Sequence, residues 1–127
     1  MKNPRMYGIT LRHFIGRQQG IQGWHAGVRY QLKHDDKNYQ KWARQNETIV
    51  LLETFSDTLL KKAAKQLKRH GVKVSVFHEP DVNNCLTCIA FLIDEEVWNK
   101  QKYPLEELSD NAAWLREFIS KYPLASG

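Results

Sequence analysis

Cysteine is nearly absent from this chain of 127 residues. Cys85 and Cys88 are the only two, too few for a disulfide framework, and a single Cys-x-x-Cys without a second pair is weak as a metal motif. Redox pairs of that form open a helix, whereas this one runs into an apolar strand, where residues three apart face opposite sides. Both therefore read as buried small hydrophobes. His13, His34, His70 and His78 show no ligand spacing, so no metal and no other cofactor is expected. Long hydrophobic runs are missing too, and none approaches the length of a membrane span. The basic start, Lys2 to Arg5, lacks the apolar stretch and cleavage site of a signal peptide. The expected setting is the cytoplasm, with no membrane contact.

Acidic residues are scarce in the first 75 positions, where 5 Asp/Glu stand against 15 Lys/Arg. Residues 76–127 reverse this with 9 against 4, and the whole chain carries +5. A basic front and an acidic back point to a phosphate-bearing partner on the first part. The plainer reading is a solvated helix face, since Lys61, Lys62, Lys65, Lys68 and Arg69 share one helical segment.

What is present is an alternation of strand and helix patterns in a length suited to one domain, 1–127. Met6–Leu11 reads as a strand. A helix over 20–33 follows, with Ile21, Val28 and Leu32 as its apolar side and Trp24 beside them. Lys37–Arg44 is a short helix and Gln45-Asn46 a turn. Thr48–Thr54 is a β-branched, nearly continuous apolar strand, expected to be buried on both faces. Ser56 caps the next helix, Leu60, Ala63, Ala64 and Leu67 form its inner stripe, and Gly71 ends it. Strands Val72–Phe77 and Leu86–Ile93 flank a polar loop, 78–84. From Asp94 the chain is acidic and helical, with Pro104 opening a helix that presents Leu108, Ala112, Leu115, Phe118 and Ile119. Trp114 and Tyr122 extend that stripe, which packs on the domain or on a second subunit. The order implies a largely parallel α/β sheet covered by helices, with a last strand free to run antiparallel because only a loop precedes it.

In such a sheet the loops at the carboxyl ends of parallel strands gather at one edge, where ligands bind. The Arg17–Gly20 turn and the Glu79–Asn84 loop are both expected there. Gln18, Gln22 and His25 share one helical stripe. Arg17, Gln18, Gln22 and His25 thus face Glu79, Asp81, Asn83 and Asn84 across a crevice, with a helix start suited to an anion. The set holds a candidate base, a proton carrier and orienting amides. Each also has a plain role: His25 as a packing histidine, Pro80-Asp81 as a turn, and Asn83 and Asn84 as local backbone partners.

Gln-Gln-x-x-Gln-x-x-His-Ala at Gln18, Gln19, Gln22, His25 and Ala26 recurs in a known family. With it come the Ile49–Glu53 strand, the basic helix and Val-Ser-Val-Phe at 74–77. Phe77, Glu79, Pro80 and Asp81 follow, then Leu86, Thr87 and Ala90. Together these resemble type II peptidyl-tRNA hydrolases, in particular a divergent branch found in phage and bacterial genomes. The resemblance covers residues 6–93 and leaves 94–127 as a helical C-terminal extension. It implies a mixed four-stranded sheet, mostly parallel and flanked by helices on both faces, and a homodimer. It also implies cleavage of the ester joining a peptide to tRNA. Carried onto this chain, Glu79 or Asp81 activates water, and His25 and Gln22 position it or the leaving ribose. Arg17, Gln18, Gln19, Asn83, Asn84 and Thr87 form the substrate and phosphate side. Three departures stand out: Gln18 replaces an essential lysine, Glu79 replaces an aspartate, and Asp81-Val82-Asn83 replaces Gly-Arg-Thr. The expected function is an esterase acting on peptidyl-tRNA or a related nucleotide ester. The alternative is a protein that holds tRNA or a nucleotide in the same crevice without cleaving it.

Overall fold

The structure, a computed structural model, describes residues 1–126. Its strands are β1 (Arg5–Leu11), β2 (Ile49–Thr54), β3 (Val74–Glu79) and β4 (Cys85–Ile93). Its helices are α1 (Gly16–His34), α2 (Lys37–Lys41), α3 (Asp57–Arg69), α4 (Glu95–Trp98) and α5 (Asp110–Ser120). A π-helical turn at Trp42–Asn46 extends α2. Local chemistry explains the sharpest of these boundaries. Ser56 Oγ accepts the Leu59 N–H at 3.2 Å to start α3, Asp57 sits in its first turn, and Lys68 and Arg69 in its last. Gly71 leaves it at φ +76°, where a side chain would be strained. No helix among the described residues is long and apolar enough to cross a membrane.

The four strands form one sheet in the order β2-β1-β4-β3. β1 and β2 pair in parallel, while β4 runs antiparallel to both β1 and β3. The expectation of mostly parallel pairing is therefore corrected. Three strands point one way, but β4 returns through the short turn after Glu79 and inserts between β1 and β3, so two of the three pairings are antiparallel. The carboxyl ends of β1, β2 and β3 still meet along one edge, joined there by the start of β4.

Helices cover both faces. Leu60, Ala63, Ala64 and Leu67 of α3 pack with Ala112, Leu115 and Phe118 of α5 against Tyr7, Ile9, Phe91 and Ile93. The 94–126 segment is thus part of the same core as the sheet. Ser109, not Pro104, starts α5, accepting the Ala112 N–H at 3.2 Å. Buried Arg116 then ties α5 to α4 by donating to the carbonyls of Val97, Glu96 and Tyr103. On the opposite face α1 packs over Met6, Phe77, Cys88, Ala90 and Leu92. Both thiols are free. Burial pushes Cys88 up to about 12, while Cys85 donates to the Asp57 carboxylate on α3.

Two expectations about burial are overturned. α1 begins four residues earlier than expected and buries Gln19, Gln22, Ala26 and Tyr30. Its apolar side looks outward: Ile21, Trp24, Val28 and Leu32 are 41%, 78%, 44% and 74% exposed. The inner amides are tolerable because each finds partners, as described below. β2 is an outer strand and not a doubly buried one, with Ile49 66% exposed and only Leu52, Glu53 and Thr54 buried. Part of its free edge is covered by the chain's own end, which bonds Glu53 N to Pro123 O and Ala125 N to Leu51 O, both at 2.9 Å.

Candidate functional site

The shared edge of β1, β2 and β3 carries two polar clusters beneath the start of α1. The first is built around Gln22, which is 1% exposed. Its Nε2 donates to Glu79 Oε1 at 3.1 Å, and its Oε1 accepts the Thr87 hydroxyl. Thr87 is placed by a β-bulge: between Phe77 and His78 the pairing with β4 slips from Cys88 to Leu86, leaving Thr87 as the extra residue. The Thr87 carbonyl accepts from Thr10 Oγ1 at 2.9 Å, which pins the bulge to β1. Both ends of the Gln22 amide are thereby used, and the side of Glu79 that meets it is fixed. Glu79 itself is half-buried at the end of β3.

His25 lies one turn further along α1, exposed, with its ring flat on Phe77 at 4.3 Å between centroids and 8° between planes. Phe77 precedes Glu79 by two residues on the same strand face. The structure therefore brings Gln22, His25 and Glu79 together, with Thr87 behind them. Arg17 and Gln18 are exposed in the first turn of α1, inside the helix and not in a turn before it. Ile15, the residue at the cap, supplies no side-chain acceptor, so the first N–H groups are left to solvent or to a ligand. Asp81, Asn83 and Asn84 are exposed in the connection to β4. There Pro80–Val82 makes a 3₁₀ turn, and Asn83 and Asn84 take φ of 52° and 54°. These two asparagines shape the return of the chain, since Asn tolerates that region better than most residues.

The second cluster was not anticipated from the sequence. Glu53, at the end of β2, is 3% exposed and accepts from Arg12 Nε at 2.6 Å, Gln19 Nε2 at 3.2 Å and the Ser126 N–H at 2.9 Å. The Ser126 amide foremost, with Arg12 and Gln19, outweighs burial and holds the Glu53 carboxyl below the usual carboxylate range. The available signal was a glutamate ending an otherwise apolar strand. Gln19 also donates to the Leu11 carbonyl. Gln19 and Thr87, expected on the substrate side, are instead interior groups engaged with the protein, and neither presents surface to a phosphate.

Chemically, the edge offers one carboxylate oriented by a buried amide, an imidazole stacked on Phe77 of the same strand, an exposed guanidinium and an uncapped helix start. Among the described residues no group of three His, Cys, Asp or Glu is arranged to hold a metal ion.

No family model matches the sequence, and no curated protein does. Among solved structures, a protein of unknown function from Agrobacterium tumefaciens is similar over 74% of this chain and 89% of its own. It shares 12% identity at a TM-score of 0.45, a likeness too distant to assign a fold family or an activity.

Proposed function

We propose that the polar edge between α1 and the β3–β4 connection hydrolyses the ester of peptidyl-tRNA or of a related nucleotide-bearing ester. The observation that supports this is the Gln22 side chain, buried yet committed at both ends to holding Glu79 from the hydroxyl of Thr87. A buried amide spent on orienting a half-exposed carboxylate fits a general base better than a surface charge. Glu79 takes a proton from the water that attacks the ester carbon, and the ribose oxygen leaves as that proton is returned. His25, steadied on Phe77, lines the path of the leaving ribose. Arg17 and the first turn of α1 hold phosphate.

A second reading keeps the ligand and drops the chemistry. The type II hydrolase resemblance expects a lysine where this chain has Gln18, and a glutamine supplies neither charge nor proton. Hydrolysis of an N-blocked aminoacyl-tRNA by the purified protein separates the two. Under the first reading Glu79→Gln loses turnover by at least about a hundredfold while tRNA retention persists. Retention without turnover in the unaltered protein selects the second. Neither turnover nor retention sinks both.

A further inference from the structure

Phe55 follows β2 directly and is 68% exposed. A single exposed aromatic needs no explanation by itself, but this one is set against a cation that the protein holds in place. The Arg12 N–H donates to the Thr54 carbonyl at 2.8 Å, which extends the pairing of β1 with β2 and brings residue 12 beside residue 55. The Arg12 guanidinium carbon then stands 4.3 Å from the centroid of the Phe55 ring. Its Nε donates to Glu53 at 2.6 Å. Glu53, 3% exposed, is held in turn by Gln19 of α1 and by the Ser126 N–H. A buried network thus fixes the guanidinium, and the guanidinium backs the exposed ring.

Phe55 and Glu79 flank the start of α1. β2 and β3 are the two outer strands of the sheet and run the same way, so their carboxyl ends lie three strand spacings apart, about 14 Å. The start of α1 reaches both ends, Glu53 through Gln19 and Glu79 through Gln22. It carries Arg17 exposed and has no side-chain cap, a place for phosphate between the two. A single RNA strand covers that span with about two to four nucleotides, depending on how far its bases are unstacked. Of the carboxylates nearest to the ring in sequence, Glu53 is matched by Arg12. Asp57 is engaged by Lys61 at 3.8 Å and by the Cys85 thiol at 3.5 Å.

We propose that Phe55, backed by Arg12, stacks an unpaired base of an RNA strand whose ester-bearing terminal ribose lies at Glu79. This rests on the nucleotide-bearing ligand common to both readings above, and it adds the group that grips the strand beyond its last nucleotide. The cation on one side of the ring draws π density toward itself, which suits the outer side to the electron-rich plane of a base. Such a stack asks for a π face and not for a particular base, so it selects single strands without reading sequence. An aliphatic side chain of the peptide would gain only contact area from the ring, which a leucine in place of Phe55 would supply as well.

The test is fluorescence anisotropy of a 5′-labelled single-stranded RNA of about five nucleotides. Beside it run kinetics on an N-blocked aminoacyl-tRNA and on the same aminoacyl ester of adenosine, which has no second nucleotide. Phe55→Ala and Phe55→Leu are each expected to weaken the RNA at least about fivefold, and Phe55→Trp to hold or tighten it. The exposed ring adds little to stability, so these variants keep the fold. Phe55→Ala is expected to raise KM for the tRNA ester by a similar factor with kcat unchanged, and to leave the adenosine ester untouched. The proposal is overturned if the RNA does not bind at about 1 mM, or if Phe55→Ala binds it as the unaltered protein does. It is equally overturned if Phe55→Leu binds it as well as phenylalanine does, or if Phe55→Ala impairs the adenosine ester as much as the tRNA ester, since the ring would then meet the acyl group. Turnover of both esters with RNA affinity indifferent to Phe55 removes the platform and leaves the hydrolase. RNA binding that Phe55→Ala loses, with no turnover in any form of the protein, keeps the platform and removes hydrolysis.

Discussion

Thr87 shows how much of the site hangs on one hydroxyl. It is fully buried, and its O–H is what the inner end of the Gln22 amide accepts. Thr87→Val keeps the shape but leaves Gln22 Oε1 without a donor in a place closed to water, which costs about 1–3 kcal/mol. Urea unfolding should report that loss, and turnover or ligand retention should fall with it as Glu79 loses its fixed partner. Glu53 makes a prediction in pH. Its folded pKa is depressed, so its stabilisation is complete above the unfolded carboxylate's value and is lost as pH falls through the folded one. Melting curves of Glu53→Gln across that acid range should show a shallower fall than the unaltered protein. An equal slope in both would mean that Glu53 is not the group responsible.

At the scale of elements, α3 and α1 behave oppositely. Ser56, Asp57, the inner stripe and Gly71 all agree on α3, so Ser56→Ala should cost about 1 kcal/mol and little else. α1 has glycines within it, no side-chain cap and its apolar side turned outward. Its anchoring comes from Gln19, Gln22 and Ala26, the last through its carbonyl, which accepts from Ser75 Oγ at 2.9 Å. Gly20→Ala and Gly27→Ala should each raise stability by about 0.5–1 kcal/mol, because the added methyl meets nothing and the unfolded chain loses freedom. A fall in melting temperature for either would mean that the space beside α1 is filled in the free protein.

For the whole molecule, the segment from Pro123 to Ser126 links the far end of the chain to the site edge. It covers the free side of β2 and places the Ser126 N–H on Glu53. Removal of the residues after Tyr122 should release the amide of Glu53 to hydrogen exchange while β4, interior to the sheet, stays protected. The same truncation should move the acid limb of the stability curve toward that of Glu53→Gln, since the foremost contributor to the depressed pKa is gone. Unchanged exchange at Glu53 would show that the terminal segment does not hold this position in solution.

The local features were readable from sequence because their causes are local. A serine three residues before the N–H it accepts, a stripe at helical spacing and a glycine at a positive φ need no knowledge of distant residues. Hence the four strands to within two residues at either end, the limits of α3 and the nearness of Gln22 to Glu79 were legible, although Glu79 was expected in the loop and instead ends β3. The insertion of β4 between β1 and β3, the outer position of β2 and the inward face of α1 were not. A buried amide is acceptable only if its partners arrive, and those of Gln19 and Gln22 come from 34, 57 and 65 positions away. Hydrophobic periodicity alone turned Ile21, Val28 and Leu32 inward. Tertiary structure reversed it by supplying Glu53, Glu79 and Thr87 to the polar side of the helix, leaving the apolar side turned outward.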